Sequence, residues 1–441
     1  MAQYNTANSA FQAQAKTLFE VNQIATLSGQ PVSTSNRFPV DANPSAMAVD
    51  AFGRARMSMP LTMFDSSHRY RDNGQWATSN TATATYSFLP NEGSIALNLD
   101  TTSGAEIVRE SLRVFAYLPG KSLLNLDTFV MSPAKANLRQ RVGYFGANNG
   151  YFVELDGTSL YLTERSYVTG IATDTRTAQA SWNIDKMDGT GPSGLTIDMS
   201  KAQIWFVDLE WLGVGSVRCG FVIGGKFIHC HTFNHANILT STYITTASLP
   251  IRYEIKNTGV TASASTLKQI CSTVISEGGY ELRGLQQAIE TPITTPKTLT
   301  TAGTYYPVVS LRLKANRLDA IAIISAAALL PVASGNYNWR IVASGVTAGG
   351  TWVSAGADSA IEYNLTGTGI DQTNARTVTS GFLATTAQTT ASLNIPRDVL
   401  FKFQFERNSL TSTPYELSLC ATSDGASHTA YGSMDWEEVS R

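Results

Sequence analysis

Two carboxylates, Asp208 and Glu210, stand two residues apart in the stretch QIWFVDLEWLGVGSVRCGFVIGGKFIHCHTF, residues 203–233. Side chains two apart on a β-strand share a face, so both point the same way beside Phe206 and Ile204. Paired carboxyl groups at such separations cut glycosidic bonds, one as acid and the other as nucleophile or base. Further along, HCHTFNHAN supplies His229, His231 and His235, three of the five histidines in the chain. In strand register His229 and His231 share a face with Phe227 and Phe233, a spacing that suits zinc. In WNIDKMDGTG, Asp185 and Asp188 precede a glycine and offer oxygens to calcium, although Met187 stands where a donor is wanted.

Each of these sets is incomplete. Arg218 lies on the next strand and is placed to pair with Asp208 or Glu210 and hold it ionised. No fourth ligand accompanies the histidines. There is no GxSxG elbow, P-loop, GxGxxG or HExxH. No enzyme activity and no cofactor are expected; the sheet around Asp208 and Glu210 reads as structural.

The elements that position these residues are strands. Trp205, Val207, Leu209 and Trp211 alternate with Ile204, Phe206, Asp208 and Glu210. Val217, Cys219, Phe221 and Ile223 form an apolar face with Arg218 opposite, and Gly224-Gly225 makes a tight turn into 226–233. The same pattern runs from residue 51 to 285, with turn signals at Asn149-Gly150 and Asp156-Gly157. It predicts an antiparallel jelly-roll sandwich. Residues 286–303, rich in Thr and Pro, read as a linker, and β-patterns from 304 to 441 predict a second β-sandwich. The apolar run AIAIISAAALLPVA at 320–333 is too short to span a membrane and reads as core.

Residues 1–50 read differently. Over 9–28 a helix is expected, with Ser9 as N-cap and Gly29 after its end. Its apolar positions Phe11, Ala15, Leu18 and Phe19, then Val21, Ile24 and Ala25, recur at spacings of three and four, and Phe11, Leu18, Phe19, Val21 and Ile24 are its docking positions. The Pro- and Ser-rich segment that follows predicts an extended arm docking on a neighbouring subunit.

Composition narrows the partners. Charged residues are 15% of the chain, and 32 basic side chains face 34 acidic ones. A surface of Thr, Ser, Gly and Asn leaves few long charged side chains to desolvate when copies pack. With no basic stripe, nucleic acid and anionic membrane are not expected partners. Cys219, Cys230, Cys271 and Cys420 form no CxxC pair and read as small buried apolar groups. The N-terminal MAQYNTANSAFQAQAK lacks a basic region leading into an apolar stretch, so no Sec leader is expected.

The segments GYFGANNGYFVELDGTSLYLTERS, WNIDKMDGTGPSG and IWFVDLEWLGVGSVRCGFVIGGKFI resemble the concanavalin A-like lectin/laminin-G sandwich. Laminarinase-type members carry Glu-x-Asp-x-Glu on one strand, the outer glutamates being nucleophile and acid/base. Here the first position holds Phe206, so the nucleophile that the resemblance would imply is missing. AFGRARMSMPLTMFDSSHRY, PGKS, DLEWLGVGSVRCGFV and LPIRYEI, taken together, resemble structural proteins of tailed-phage virions over residues 51–285. That resemblance implies a β-sandwich virion component without fixing its place on the particle; the tail, baseplate or fibre is expected first, with assembly in the host cytoplasm against other virion proteins. Head decoration is the alternative. A homo-oligomer is expected, a trimer first. The lectin-like fold adds a host surface glycan as partner, with Trp76 and Trp182 as contacts.

Overall fold

The computed structural model describes residues 58–440, apart from 82, 279–283, 386–392 and 395–403, together with a short strand pair near the N-terminus. The docking positions Phe11, Leu18, Phe19, Val21 and Ile24 lie outside the described residues. The end of the expected helix is corrected. Thr26–Leu27 is a strand paired antiparallel with Gln30–Pro31. β-branched Thr26 favours extended backbone.

The alternating pattern between residues 60 and 277 produces two antiparallel sheets. One holds seven strands, in spatial order Thr173–Ala178, Ser159–Ser166, Gly150–Asp156, Leu138–Phe145, Ile251–Asn257, Glu106–Ser111 and Trp76–Asn80. The other runs Lys226–Phe233, Val217–Ile223, Gln203–Leu209, Leu123–Val130, Ser265–Glu277, Ser94–Leu99 and Thr85–Leu89. Pro60–Ser67 pairs with the far end of Ser265–Glu277. Together they make a jelly-roll sandwich. Sequence neighbours are interleaved with distant strands: Leu123–Val130 lies between Gln203–Leu209 and Ser265–Glu277.

The inner faces bury Trp205, Val207, Leu209, Val217, Cys219 and Phe221 against Val142, Tyr144, Tyr151, Val153 and Tyr253. This matches the expected split of the 203–223 hairpin. Polar side chains share this interior, among them Asn125 and Asp127 on the strand Leu123–Val130, both fully buried.

Residues beyond 284 build further antiparallel sheets around a second buried cluster that includes Val309, Leu311, Ile324, Leu419 and Trp436. The apolar run supplies the strand Ile321–Pro331, paired along its length with His428–Ser440. The expected linker is corrected here. Leu285–Glu290 and Lys297–Leu299 are strands that pair with His428–Ser440, and Leu299 is fully buried. Threonine suits a pleated edge as readily as a loop, and the long C-terminal strand offers that edge.

Residues 59–441 form one compact unit. Ala116 and Leu118 from the first cluster's side meet Ile321 and Ile323, and Arg113 donates to Glu406 at 2.6 Å beside them. No helix among the described residues is long and apolar enough to cross a membrane. All four cysteines are free; Cys271 is exposed, against expectation, and the other three are buried.

Candidate functional site

The outward face of the 203–233 meander carries a cleft of about 600 Å³. Its floor begins with Phe206. This side chain points away from the sandwich core, yet it is almost fully buried. The reason lies on the next strand. A Cβ placed on Gly220 would sit 2.0 Å from the Ile228 carbonyl oxygen and 2.8 Å from the Phe206 ring. Glycine there lets the ring lie across the strand. Phe227 and His229 close on it edge-on, at 5.0 and 5.2 Å between centroids. Phe227 stays 50% exposed, so the floor ends in an open aromatic surface.

Polar groups line the walls. Asp208 accepts a hydrogen bond from the Ser122 hydroxyl. Glu210 accepts from the Ser216 backbone N–H at 3.4 Å and its hydroxyl at 3.3 Å. Arg218 stands directly across from Asp208 in the strand pair. Among the described residues the expected ion pair with Arg218 is replaced by these serine contacts. A serine reaches a carboxylate with far less rotamer entropy to lose than an arginine. Lys121 and Glu277 complete the rim. Asp208, Glu210 and Arg218, all named from sequence, are therefore brought together. Ser122, Lys121, Glu277 and Tyr117 were missed, because they come from segments about 70–90 residues away in sequence. Phe227 carried a signal: an aromatic residue at period two beside the Gly224-Gly225 turn.

The histidines are not brought together. Cys219 pairs with His231 and Gly220 with His229, which leaves Cys230 as an extra residue in a β-bulge. The bulge reverses the alternation. Phe227 and His229 face outward, whereas His231 and Phe233 turn inward and meet edge-on at 4.5 Å between centroids. The shared face expected for all four is corrected on this ground. His231 Nδ1 accepts the Asn183 N–H at 3.2 Å, and burial holds its pKa below the ordinary value.

His235 is elsewhere again, stacked on Tyr243 at 3.9 Å. Its Nε2 lies 2.7 Å from Glu164 Oε2 and its Nδ1 2.6 Å from the Gly215 carbonyl oxygen. Both neighbours are acceptors, and Tyr151 donates to the same Glu164 oxygen. Two acceptors require two N–H donors, which is the imidazolium form. Burial works against that charge, but the Glu164 carboxylate and the Gly215 carbonyl outweigh it and raise the His235 pKa.

The calcium reading is also corrected. Asp185 accepts backbone N–H groups from Met187 at 2.9 Å and Ser193 at 2.7 Å. Asp188 accepts from the Thr190 N–H and hydroxyl. These oxygens close turns, and their donors hold both carboxyls below the usual pKa, against the opposing effect of burial at Asp185. Among the described residues no three His, Cys, Asp or Glu side chains are grouped to hold a metal ion.

Trp76 and Trp182 do not reach solvent. Trp76 is 7% exposed, with its indole N–H on Ser66 Oγ at 2.8 Å and its ring between Phe64 and Tyr253. Trp182 is 3% exposed and donates to the Thr177 carbonyl. Both lie near turns, but an indole's large apolar area favours the core once its N–H finds a partner.

The outer face of the seven-stranded sheet holds a denser charge array. Glu154 is fully buried there, bonded by Arg141 at 2.7 Å and by Arg176 at 2.6 and 2.8 Å. Arg252 bonds Glu110 and Glu254, above the buried ring of Phe145. Its charges are spent on one another, which leaves the Phe206–Phe227 cleft as the better candidate for a ligand.

No protein-family model matches this chain, and no curated protein matches it. Among solved structures, it is similar to the Emp47p carbohydrate recognition domain (12% identity, TM-score 0.32, 53% of this chain, 100% of that one). It is similar to a carbohydrate esterase from the Shiga toxin-encoding bacteriophage phi24B (11% identity, TM-score 0.31, 50% of this chain, 100% of that one). It is also similar to the CBM2 module of the evolved Dit of Lactobacillus casei BL23 phage J-1 (4% identity, TM-score 0.33, 51% of this chain, 100% of that one).

Proposed function

We propose that this chain is a structural component of a tailed-phage virion that contacts host-surface glycan through the Phe206–Phe227 cleft. The cleft carries the reading. A sugar ring has apolar C–H faces and hydroxyl edges. Phe227 offers an open ring for the face, while Asp208, Glu210, Ser216 and Arg218 offer acceptors and donors for the edge. The virion part is supported by the sequence resemblance over residues 51–285 and by the low-charge surface suited to packing of copies. Tail, baseplate or fibre placement, trimeric assembly and docking through residues 1–50 belong to the same proposal.

Binding is favoured over cleavage because Phe206 occupies the position of the missing nucleophile and packs on Gly220. The test is a glycan array on the purified chain, followed by titration calorimetry of the best ligand. Phe227→Ala is expected to weaken binding about tenfold, in line with the loss of one stacking surface of ~1 kcal/mol or more. A folded chain that binds no glycan, or a Phe227→Ala variant that binds as well as the parent, overturns the glycan reading. Reducing ends released from host polysaccharide, and abolished by Glu210→Gln, would make the cleft a hydrolase site instead. Immunogold labelling of intact particles separates tail from head.

A further inference from the structure

A second cleft, of about 660 Å³, is lined on one side by Tyr117 and Trp211 and on another by residues 315–321 and Arg407. The two clefts share a ridge of chain made by Tyr117 and residues 210–212. Tyr117 lines both clefts. Along the neighbouring segment, Glu210 and Leu212 face the first cleft and Trp211 faces the second. The ridge is well braced. The Tyr117 hydroxyl accepts the Trp211 backbone N–H at 3.1 Å, and the two rings meet edge-on at 5.7 Å. Leu212 stands at its crest, 58% exposed and in the left-handed backbone region at φ +40°. Its exposed side chain offers an apolar contact between the two clefts.

The far wall has groups suited to hydroxyls. Arg407 donates to Asp319 at 3.0 Å, and the Asp319 side chain remains 40% exposed, so a carboxylate and a guanidinium sit side by side at the opening. Asn316 is exposed beside them. Each cleft alone is in the size range of a small-ligand pocket.

From the shared wall, the apolar crest and the polar far side we infer that the ligand is a polysaccharide chain. It crosses the ridge, with sugars in both clefts and an apolar sugar face over Leu212. The C-terminal sheets thereby take part in recognition. This rests on the glycan reading of the first cleft, which by itself a terminal sugar would satisfy.

Short (di- and trisaccharide) and long (hexa- and octasaccharide) fractions of purified polysaccharide from a phage-sensitive host test it by calorimetry with the full chain. The long fractions are expected to bind about tenfold or more tighter than the short ones, since the second cleft adds to the first. Asn316→Trp, which fills the second cleft from an exposed turn, is expected to bring the long fractions down to the short-fraction affinity. Its short-fraction affinity should be unchanged, which also reports that the variant is folded. Equal affinities for short and long fractions in the parent overturn the inference but leave the first cleft's reading standing. So does an Asn316→Trp variant that keeps full long-fraction affinity. Failure of every fraction to bind overturns the glycan reading itself.

Discussion

Replacing Asp127 by Asn should stabilise this protein at alkaline pH and leave it nearly unchanged in acid. Asp127 is fully buried between the sheets, opposite Trp205 on one side and Ser272 on the other. Asn125 donates to its Oδ2 at 2.6 Å. Burial raises its pKa from 3.8 to about 7, although the Asn125 hydrogen bond and the nearby Ser272 hydroxyl pull the other way. An unfolded chain releases this proton near its ordinary pKa. Between the two values the folded state therefore holds more protons, and stability falls as pH rises through that window. Three pH units at roughly 1.36 kcal/mol each give about 4 kcal/mol, an upper figure for a site that admits no water. Asparagine keeps the shape and can accept the Asn125 bond without ever charging. Urea unfolding followed by tryptophan fluorescence, at pH 4.5 and pH 8, measures the difference between parent and variant. The expected gain is small at pH 4.5 and several kcal/mol at pH 8. Other carboxylates cancel, because they titrate alike in both proteins. A stability difference that does not change between the two pH values would refute the reasoning.

Three further outcomes are expected. The His235 imidazolium contributes stability that is complete below its unfolded pKa and is lost as pH rises through its raised folded value. NMR titration of His235 should show that raised value, and His235→Asn should flatten the corresponding part of the stability profile; a normal histidine titration would sink this. Gly220→Ala should cost more than about 2 kcal/mol, because its Cβ would collide with the Ile228 carbonyl and the Phe206 ring, and should reduce glycan affinity with it; an unchanged melting temperature would contradict it. Glu154→Ala should cost on the order of 2 kcal/mol, measured by urea unfolding, because Arg141 and Arg176 lose their shared buried partner while keeping Glu254, Asp174 and Asp156, whereas a neutral result would show that the array is not a coupled network.

The reach of the sequence is clearest at 203–223. There, period-two alternation alone assigned Trp205, Val207 and Leu209 to the core and Phe206 and Asp208 to the outer face, since a strand has only two sides. It also assigned the 320–333 run to the interior, because so much apolar area has nowhere else to go. Alternation failed ten residues later. One unpaired residue, Cys230, reversed the phase, and a bulge depends on how two strands meet rather than on either strand alone. Trp76 and Trp182 show the same limit: a turn nearby says nothing about which layer lands on the ring. The 285–299 segment became an edge because the C-terminal strand was there to pair with it. The chemistry of the cleft was decided furthest from the sequence. Ser122 reaches Asp208 across 86 residues, and Tyr117 walls two clefts whose other sides come from residues 206–229 in one case and 315–321 in the other. Local pattern sets which way a side chain points; only the packing of distant strands sets what it points at.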